Sequence, residues 1–207
     1  MHRYTLPFAL VLLGSGCGYN TIQKYDEQAN AAKNQIEVQL QRRADLIPNL
    51  VATVKGYAQH EEDVFTQVAQ ARAGVLGSVQ KGDPREMANA NDQLTSALGR
   101  LMVVAEAYPQ LKADQNFLKL QDELTGTENR IAVARTDYNN AVQTYNTYIR
   151  TLPQSLTAKV IGAKPKTYFE VTNPANREAP TVDFSKPAAS TSSSNPTSNP
   201  SSAPQTP

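Results

Sequence analysis

The stretch DQNFLKLQDELTGTENRIAVARTDYNNAVQTYNTYIRTL, residues 114–152, predicts a long helix that packs against other helices. Its apolar and small residues recur at alternating steps of three and four, which is the spacing of one face of a helix. Those residues are Phe117, Leu120, Leu124, Thr127, Ile131, Ala134, Tyr138, Ala141, Tyr145, Tyr148 and Leu152. The other positions are mostly polar, so this helix needs a partner surface from the rest of the chain.

The same spacing predicts three more helices before residue 114. They run from Tyr19 to about Ala44, from about Ile47 to about Val79, and from Pro84 to about Tyr108. Helices joined by short links pack most simply as antiparallel neighbours. We therefore expect an all-α fold over residues 17–171, in the form of an antiparallel four-helix bundle with long helices.

Capping residues and prolines mark the predicted helix boundaries. Asp83 followed by Pro84 is typical of a helix start, and Asp114 is placed to cap the last long helix. Pro48 lacks an amide hydrogen, so the chain either turns sharply or kinks between Arg42 and Leu50. Of these two alternatives we expect the turn, which would separate the first helix from the second.

Residues 1–16 are typical of an export signal. The apolar run Leu6–Leu13 is far shorter than the ~20 residues that a membrane-spanning helix needs. Small residues then precede Cys17, the only cysteine of the chain, a pattern that resembles the bacterial lipoprotein signal. We predict that residues 1–16 are removed and that a lipid on Cys17 holds the protein, outside the cytoplasm, on the cell membrane or outer membrane. The alternatives are an ordinary cleaved signal and an uncleaved weak anchor.

The C-terminal residues 172–207 are predicted to form a disordered tail. From Pro187 onward the chain is almost entirely Ser, Pro, Thr, Asn and Ala, without charged or aromatic residues. Such a segment cannot bury enough apolar surface to offset the entropy lost on ordering. The alternative is a spacer that crosses a cell wall or carries glycans.

Charge and histidine content exclude several classes of function. The formal net charge of +1 falls to about zero when Arg3 is removed with the signal, so we do not expect nucleic-acid binding. His60 is then the only histidine, which is too few for a di-iron bundle site and leaves one candidate base for a catalytic triad. We therefore predict no catalytic, cofactor-binding or metal-binding residues.

Charged residues at the end of the first helix have two interpretations. Arg42, Arg43 and Asp45 form either a solvated charge cluster or an interaction patch for a partner. On the last helix, spacings of four to seven residues predict an ion network within the helix, formed by Glu123, Glu128 and Arg130.

Several segments together carry a family resemblance. They are Val38–Val51 (VQLQRRADLIPNLV), Lys55–Ala58, His60–Glu61, Phe117–Leu124 (FLKLQDEL), Gly126–Ile131 (GTENRI) and Tyr168–Glu170. With these segments the chain resembles the LemA family of bacterial envelope proteins over about Gly18 to Val171. The resemblance implies a helical bundle on the outer face of a membrane, and it implies no defined activity.

Three hypotheses of function follow. The first is a non-enzymatic scaffold or interaction lipoprotein whose partners are the membrane, through Cys17, and an envelope protein. The second is a metal-dependent bundle enzyme that uses His60 and Glu61. The third is an extracytoplasmic ligand-binding sensor. We favour the first, because the sequence assembles no cluster of reactive side chains and contains no segment for a cytoplasmic output.

Overall fold

The structure, a computed structural model, describes residues 5–170 of the chain, with side chains from Gly18 onward. All regular elements in that part are helices. They are α1 (Thr5–Lys55), α2 (Glu62–Lys81), α3 (Pro84–Glu106), α4 (Pro109–Lys112), α5 (Gln115–Tyr148) and α6 (Gln154–Val160). The predicted all-α class is confirmed. The predicted tail, residues 172–207, lies outside the described residues.

The turn predicted between Arg42 and Leu50 is wrong, because α1 continues through Pro48 to Lys55. The chain reverses later, over residues 56–61, and α2 begins at Glu62. The amides of Gly56 and Ala58 close the end of α1, donating to the carbonyls of Ala52 and Val54. The first two predicted helices are therefore separated about ten residues further along the chain than expected.

A contact from α2 accounts for the uninterrupted path of α1. A proline at position 48 leaves the carbonyl of Ala44 without its usual donor four residues on. The Nε of Arg72 in α2 donates to that carbonyl over 2.8 Å. The proline itself is exposed, so its ring does not displace the packed face of the helix. Packing of α2 thus satisfies the group that the local sequence leaves unpaired.

Replacing Arg72 with methionine should lower the free energy of unfolding by about 1–3 kcal/mol, because the Ala44 carbonyl loses its donor. In a Pro48→Ala background the same replacement should cost much less, since the amide of residue 48 can then donate to Ala44. Urea denaturation of the four proteins measures this coupling. Equal losses in both backgrounds would show that Arg72 stabilises the protein in another way.

The link between α2 and α3 follows the sequence prediction. Gly82 ends α2 in the left-handed conformation, with φ of 67°. Asp83 then caps α3, accepting from the amides of Arg85 and Glu86. The Nζ of Lys33 in α1 donates to the carbonyl of Gly82 over 3.3 Å, which ties this link to α1.

The buried face of α5 agrees with the prediction in its first half and shifts in its second half. Phe117, Leu124 and Ile131 are buried, whereas Leu152 lies beyond the end of the helix and is 77% exposed. Tyr138 and Tyr145 are buried as predicted, but Ala141 and Tyr148 are only half-buried, and Val142, Asn146 and the following Ile149 are buried as well. An α-helix has 3.6 residues per turn, so a strict three-four repeat drifts around its surface by about 20° per seven residues. The predicted face followed the repeat rather than this drift.

Contacts between α1 and α5 extend along most of both helices. At one end the hydroxyl of Tyr57, just after α1, donates to the cap residue Asp114 of α5 over 3.1 Å. At the other end Tyr25 of α1 and Tyr148 of α5 meet edge to face, with ring centroids 5.1 Å apart. Between them the core contains Ala29, Ile36, Leu40, Ala44, Ile47, Leu50 and Val54 of α1.

After α6, residues 164–170 have no regular secondary structure and are held against α5. The side chain of Asn146 bonds both the amide and the carbonyl of Lys166, and Asn139 does the same for Phe169. The hydroxyl of Tyr138 donates to the carbonyl of Thr167 over 2.7 Å. The Phe169 ring enters the core, and Tyr168 packs against that core.

Burial, aided by the charge of Asp83, raises the pKa of Tyr138 to about 12. An unfolded tyrosine loses its proton near pH 10, so the folded state binds more protons above that pH and stability should fall between about pH 10 and 12. Tyr138→Phe should flatten this fall, and at neutral pH it should cost the hydrogen bond to Thr167, about 0.5–1.5 kcal/mol. Urea denaturation from pH 7 to about 12 compares the two proteins. If the free energies of unfolding of the two proteins fell in parallel above pH 10, that result would contradict a buried phenol at this position.

Candidate functional site: a buried arginine and an open groove

Arg43 is the charged residue most deeply buried in the described part of the chain, at 4% exposure. It lies on the core face of α1, between Leu40 and Ile47, and its guanidinium reaches two other helices. Nη1 lies 2.5 Å from Oδ1 of Asn91, and Nη2 donates to Oγ1 of Thr95 over 3.1 Å; both partners belong to α3. The carboxylate of Glu128 in α5 lies 2.5 Å from Nη1. Arg43 therefore connects three helices.

The electrostatics of this cluster combine desolvation with attraction. Burial lowers the pKa of Arg43, and the charges of Glu128 and Asp92 oppose that shift. Burial also raises the pKa of Asp92, against the attraction of Arg135 and Arg43. An arginine remains protonated despite such a shift, since its intrinsic pKa is above about 12. The cluster is therefore a fixed positive charge in the interior, balanced by the Glu128 carboxylate.

The hydrogen bonding of the cluster is incomplete within the described residues. Nε of Arg43 is buried and has no acceptor there. Oε2 of Glu128 is close to Nη1, but it is not aligned with an N–H, so the contact is an ion pair without a directed hydrogen bond. Arg43 is buried, whereas the Glu128 side chain is 41% exposed. An ion pair with a buried member adds little stability compared with an apolar core, and it can fix the register of packed helices. We assign the cluster that structural role.

The predicted patch of Arg42, Arg43 and Asp45 is divided by the fold. Arg42 and Asp45 are exposed, and Asp45 accepts from the side chain of Gln41 over 2.9 Å. Arg43 points into the core. An interaction role for the two exposed residues stays a prediction. The burial of Arg43 has a signal in the sequence, because positions 40, 43 and 47 share one helix face.

Glu128 also differs from its predicted pairing. An ion network within α5 was expected, but the partner of Glu128 is Arg43 on α1. Arg130 forms no ion pair with any residue in the described part of the chain, and its guanidinium lies beside Gly126. Pairing across helices replaces the predicted pairing along one helix, because burial of Arg43 requires an anion from a neighbour.

Replacing Glu128 with leucine should lower the free energy of unfolding by about 1.5–3 kcal/mol, because Arg43 stays buried without its anion. Changing Arg43→Met in the same protein should recover part of that loss, since the unpaired charge is then removed as well. Arg42→Met, at the exposed neighbour, is the control and should stay within about 0.5 kcal/mol of the parent. Strictly additive losses in urea denaturation would contradict the ion pair.

A groove of about 670 Å³ runs along the surface between α1 and α5. Its walls are Ala31, Ala32, Gln35 and Gln39 of α1, and Asn129, Arg130, Val133, Ala134 and Asp137 of α5. Ala134, the most buried of these residues, lies at the floor of the groove beside Ala32, and Val133 stands at the edge with 62% exposure. Oε1 of Gln39 is buried there and has no hydrogen-bond donor among the described residues.

Charges of opposite sign flank this groove. Arg130 and Asp137 lie on the same side of α5, separated by two helical turns, which is about 10 Å. Neither forms an ion pair with another side chain in the region that the structure describes. The groove therefore presents a small-residue floor, an amide without a donor, and one charge of each sign.

The residues proposed for the enzyme hypothesis do not form a reactive group in the described region. His60 is exposed in the turn between α1 and α2, and Glu61 is the residue before α2. In residues 18–170, His, Cys, Asp and Glu side chains nowhere gather in a group of three that could hold a metal ion. The side chain of Cys17 lies outside the described part. None of the described helices is both long enough and apolar enough to span a bilayer.

These features define an all-helical protein whose long helices are connected by a buried arginine and whose surface contains a groove. The chain belongs to the LemA family: the family profile matches residues 32–184. This range continues beyond Val171, the predicted end of the helical domain. The resemblance expected from the sequence is confirmed.

The similar curated proteins carry two names, magnetosome protein MamQ and protein LemA. Magnetosome protein MamQ 2 of Paramagnetospirillum magneticum is 30% identical over 175 residues, covering 73% of this chain and 64% of that protein. Magnetosome protein MamQ of Magnetospirillum gryphiswaldense is 28% identical over 174 residues, with the same coverage. Protein LemA of Metamycoplasma hominis is 25% identical over 133 residues, covering 64% of this chain and 59% of that protein. The chain thus spans less than two thirds of the length of these relatives.

Proposed function

We propose that this protein is a non-enzymatic interaction module of the bacterial cell envelope, held on the outer face of a membrane by a lipid on Cys17. The groove between α1 and α5 is the observation that carries the proposal. It is the described surface that combines concavity, small residues and polar groups without partners. The alternative enzyme would need His60 and Glu61 to meet further reactive groups, and both lie in a surface turn.

The proposal includes the arrangement of the helices. The four long helices α1, α2, α3 and α5 form an antiparallel bundle in it. Contacts that support this order are Arg72 with Ala44 for α2 on α1, Arg100 with Gln67 for α3 beside α2, and the tyrosine contacts at both ends of α1 and α5. In this bundle one side of the α1–α5 pair is covered by α2 and α3, and the groove lies on the other side.

A helix of an envelope protein is the occupant that the groove fits best. The walls extend over residues 31–39 of α1 and 129–137 of α5, which is about 12 Å or slightly more than two helical turns. Alanines in the floor allow the backbone of a third helix to approach closely. Arg130 and Asp137 would fix its direction, because the occupant must present an anion to one and a cation to the other.

Site-specific photocross-linking in intact cells tests this proposal. A photoreactive residue replaces Val133 in the groove, and the control replaces Val103, an aliphatic residue on α3 that is 68% exposed. We expect one defined protein to cross-link at position 133 and not at position 103. Arg130→Asp should reduce its yield, since the change places like charge against the occupant.

The possible outcomes discriminate between partners. A cross-link between two copies of this chain would identify the occupant as a second copy instead of another envelope protein. Equal cross-linking at both positions, or a yield that does not change with Arg130→Asp, would contradict the groove as the binding surface.

A further inference from the structure

A cluster of exposed apolar side chains lies at the end of the molecule that contains α6. Among the large apolar residues of the described part, ten are exposed, and five of those belong to this end. They form what we call the α6 patch: Tyr19, Leu152, Leu156, Val160 and Ile161. Exposed apolar side chains grouped at one end of a molecule mark a contact with a membrane or another protein more often than scattered single ones do.

α6 buries a small residue and exposes its large aliphatic ones, which is the reverse of what burial of apolar surface alone would favour. Its small residue Ala158 is buried against Ile22, Tyr145 and Ile149. Its large aliphatic residues, one helical turn apart, face outward: Leu156 is 63% exposed and Val160 is 87% exposed. A helix that only completed the core would place its larger aliphatic side chains inside. The outward face of α6 therefore fits an apolar surface outside the molecule.

The segment that contains α6 carries only positive charges, while Asp26 on the neighbouring α1 is paired with Lys166. The chain contains no Asp or Glu from residue 138 to residue 169. Arg150, Lys159 and Lys164 are exposed in this segment, and none of them forms an ion pair with a side chain that the structure describes. Outward aliphatic residues bordered by lysine and arginine are the composition of segments that lie in the interface of an anionic membrane.

The position of the patch relates it to the proposed anchor. A Cβ atom placed on Gly18 would lie 3.5 Å from Oγ1 of Thr157 in α6, so α6 packs beside the residue that follows Cys17. A lipid on Cys17 would therefore keep α6 close to the bilayer. Tyr19, which is exposed next to this point, has the amphipathic ring that is enriched at membrane interfaces.

We propose that the α6 patch docks on the surface of an anionic phospholipid bilayer, with Leu156 and Val160 inserted among the headgroups and the flanking lysines paired with lipid phosphates. This inference rests on the proposed membrane anchoring and adds a second membrane contact to it. A chain held by its lipid alone would tumble freely on its tether. Docking of α6 instead fixes one end of α1 on the membrane.

Tryptophan fluorescence tests the docking, because the chain contains no tryptophan. Full-length, lipid-carrying Leu156→Trp protein is reconstituted on phosphatidylglycerol vesicles, and Val103→Trp is the matched control. Both variants should float with the vesicles. We expect the indole at position 156 to shift to the blue and to be quenched by brominated acyl chains, while the indole at position 103 keeps its emission in water.

Two results would overturn the inference while leaving the anchoring intact. The first is flotation of both variants with equally water-exposed indoles. The second is an indole at position 156 that is already shifted without vesicles and insensitive to brominated lipid, which would show that another part of the chain covers the patch.

A chain without the lipid separates docking from anchoring. Cys17→Ser protein carrying the same Leu156→Trp change should still show the shift at high concentrations of anionic vesicles. Lys159→Gln with Lys164→Gln should weaken that partition about 30-fold. If Cys17→Ser protein that also carries Lys159→Gln and Lys164→Gln still fractionates with cell membranes as the parent does, the proposed anchor fails. If the indole of the Cys17→Ser protein shows no shift and its partition ignores both lysines, the docking fails.

Discussion

The guanidinium of Arg43 is the constraint on which the packing of this protein depends. A charge buried to this degree is stable only when neighbouring groups replace the water it has lost. Asn91 and Thr95 of α3 and Glu128 of α5 supply those groups. Because the groups from α3 and α5 must all lie next to the guanidinium, a shift of α3 or α5 along α1 by one helical turn would leave the charge uncompensated. The cluster therefore selects one register for three helices.

The effect of Pro48 is likewise compensated by a residue that is distant in the sequence. By itself it favours a break in α1, and the break would have shortened the helix that pairs with α5. Arg72 supplies the missing donor from a position 28 residues away in the chain. With α1 continuous, the chain from Tyr25 to Tyr57, just beyond the end of α1, can contact α5 from Tyr148 back to Asp114. One side-chain hydrogen bond from α2 thus satisfies the carbonyl that Pro48 leaves unpaired within the longest helix pair of the fold.

The sequence predicted those features that depend on residues within four positions of each other. The helical class and the Asp83 and Asp114 caps follow from local spacing and composition. The features it missed depend on distant partners: Arg43 meets Asn91 48 residues away, and nothing near Pro48 shows that Arg72 will reach Ala44. The groove was not predicted either, since it arises from two helix faces that are each only weakly apolar.

The two proposed surfaces place a geometric condition on any partner. The groove begins at Ala31 and ends at Gln39, while α6 packs beside Gly18. At 1.5 Å per residue, the groove lies about 20–32 Å along α1 from the residue that follows the lipid. With α6 docked, α1 would hold the groove at a fixed distance from the bilayer. A partner helix would then have to project beyond the headgroups to reach it, so a protein confined to the bilayer core could not occupy this site.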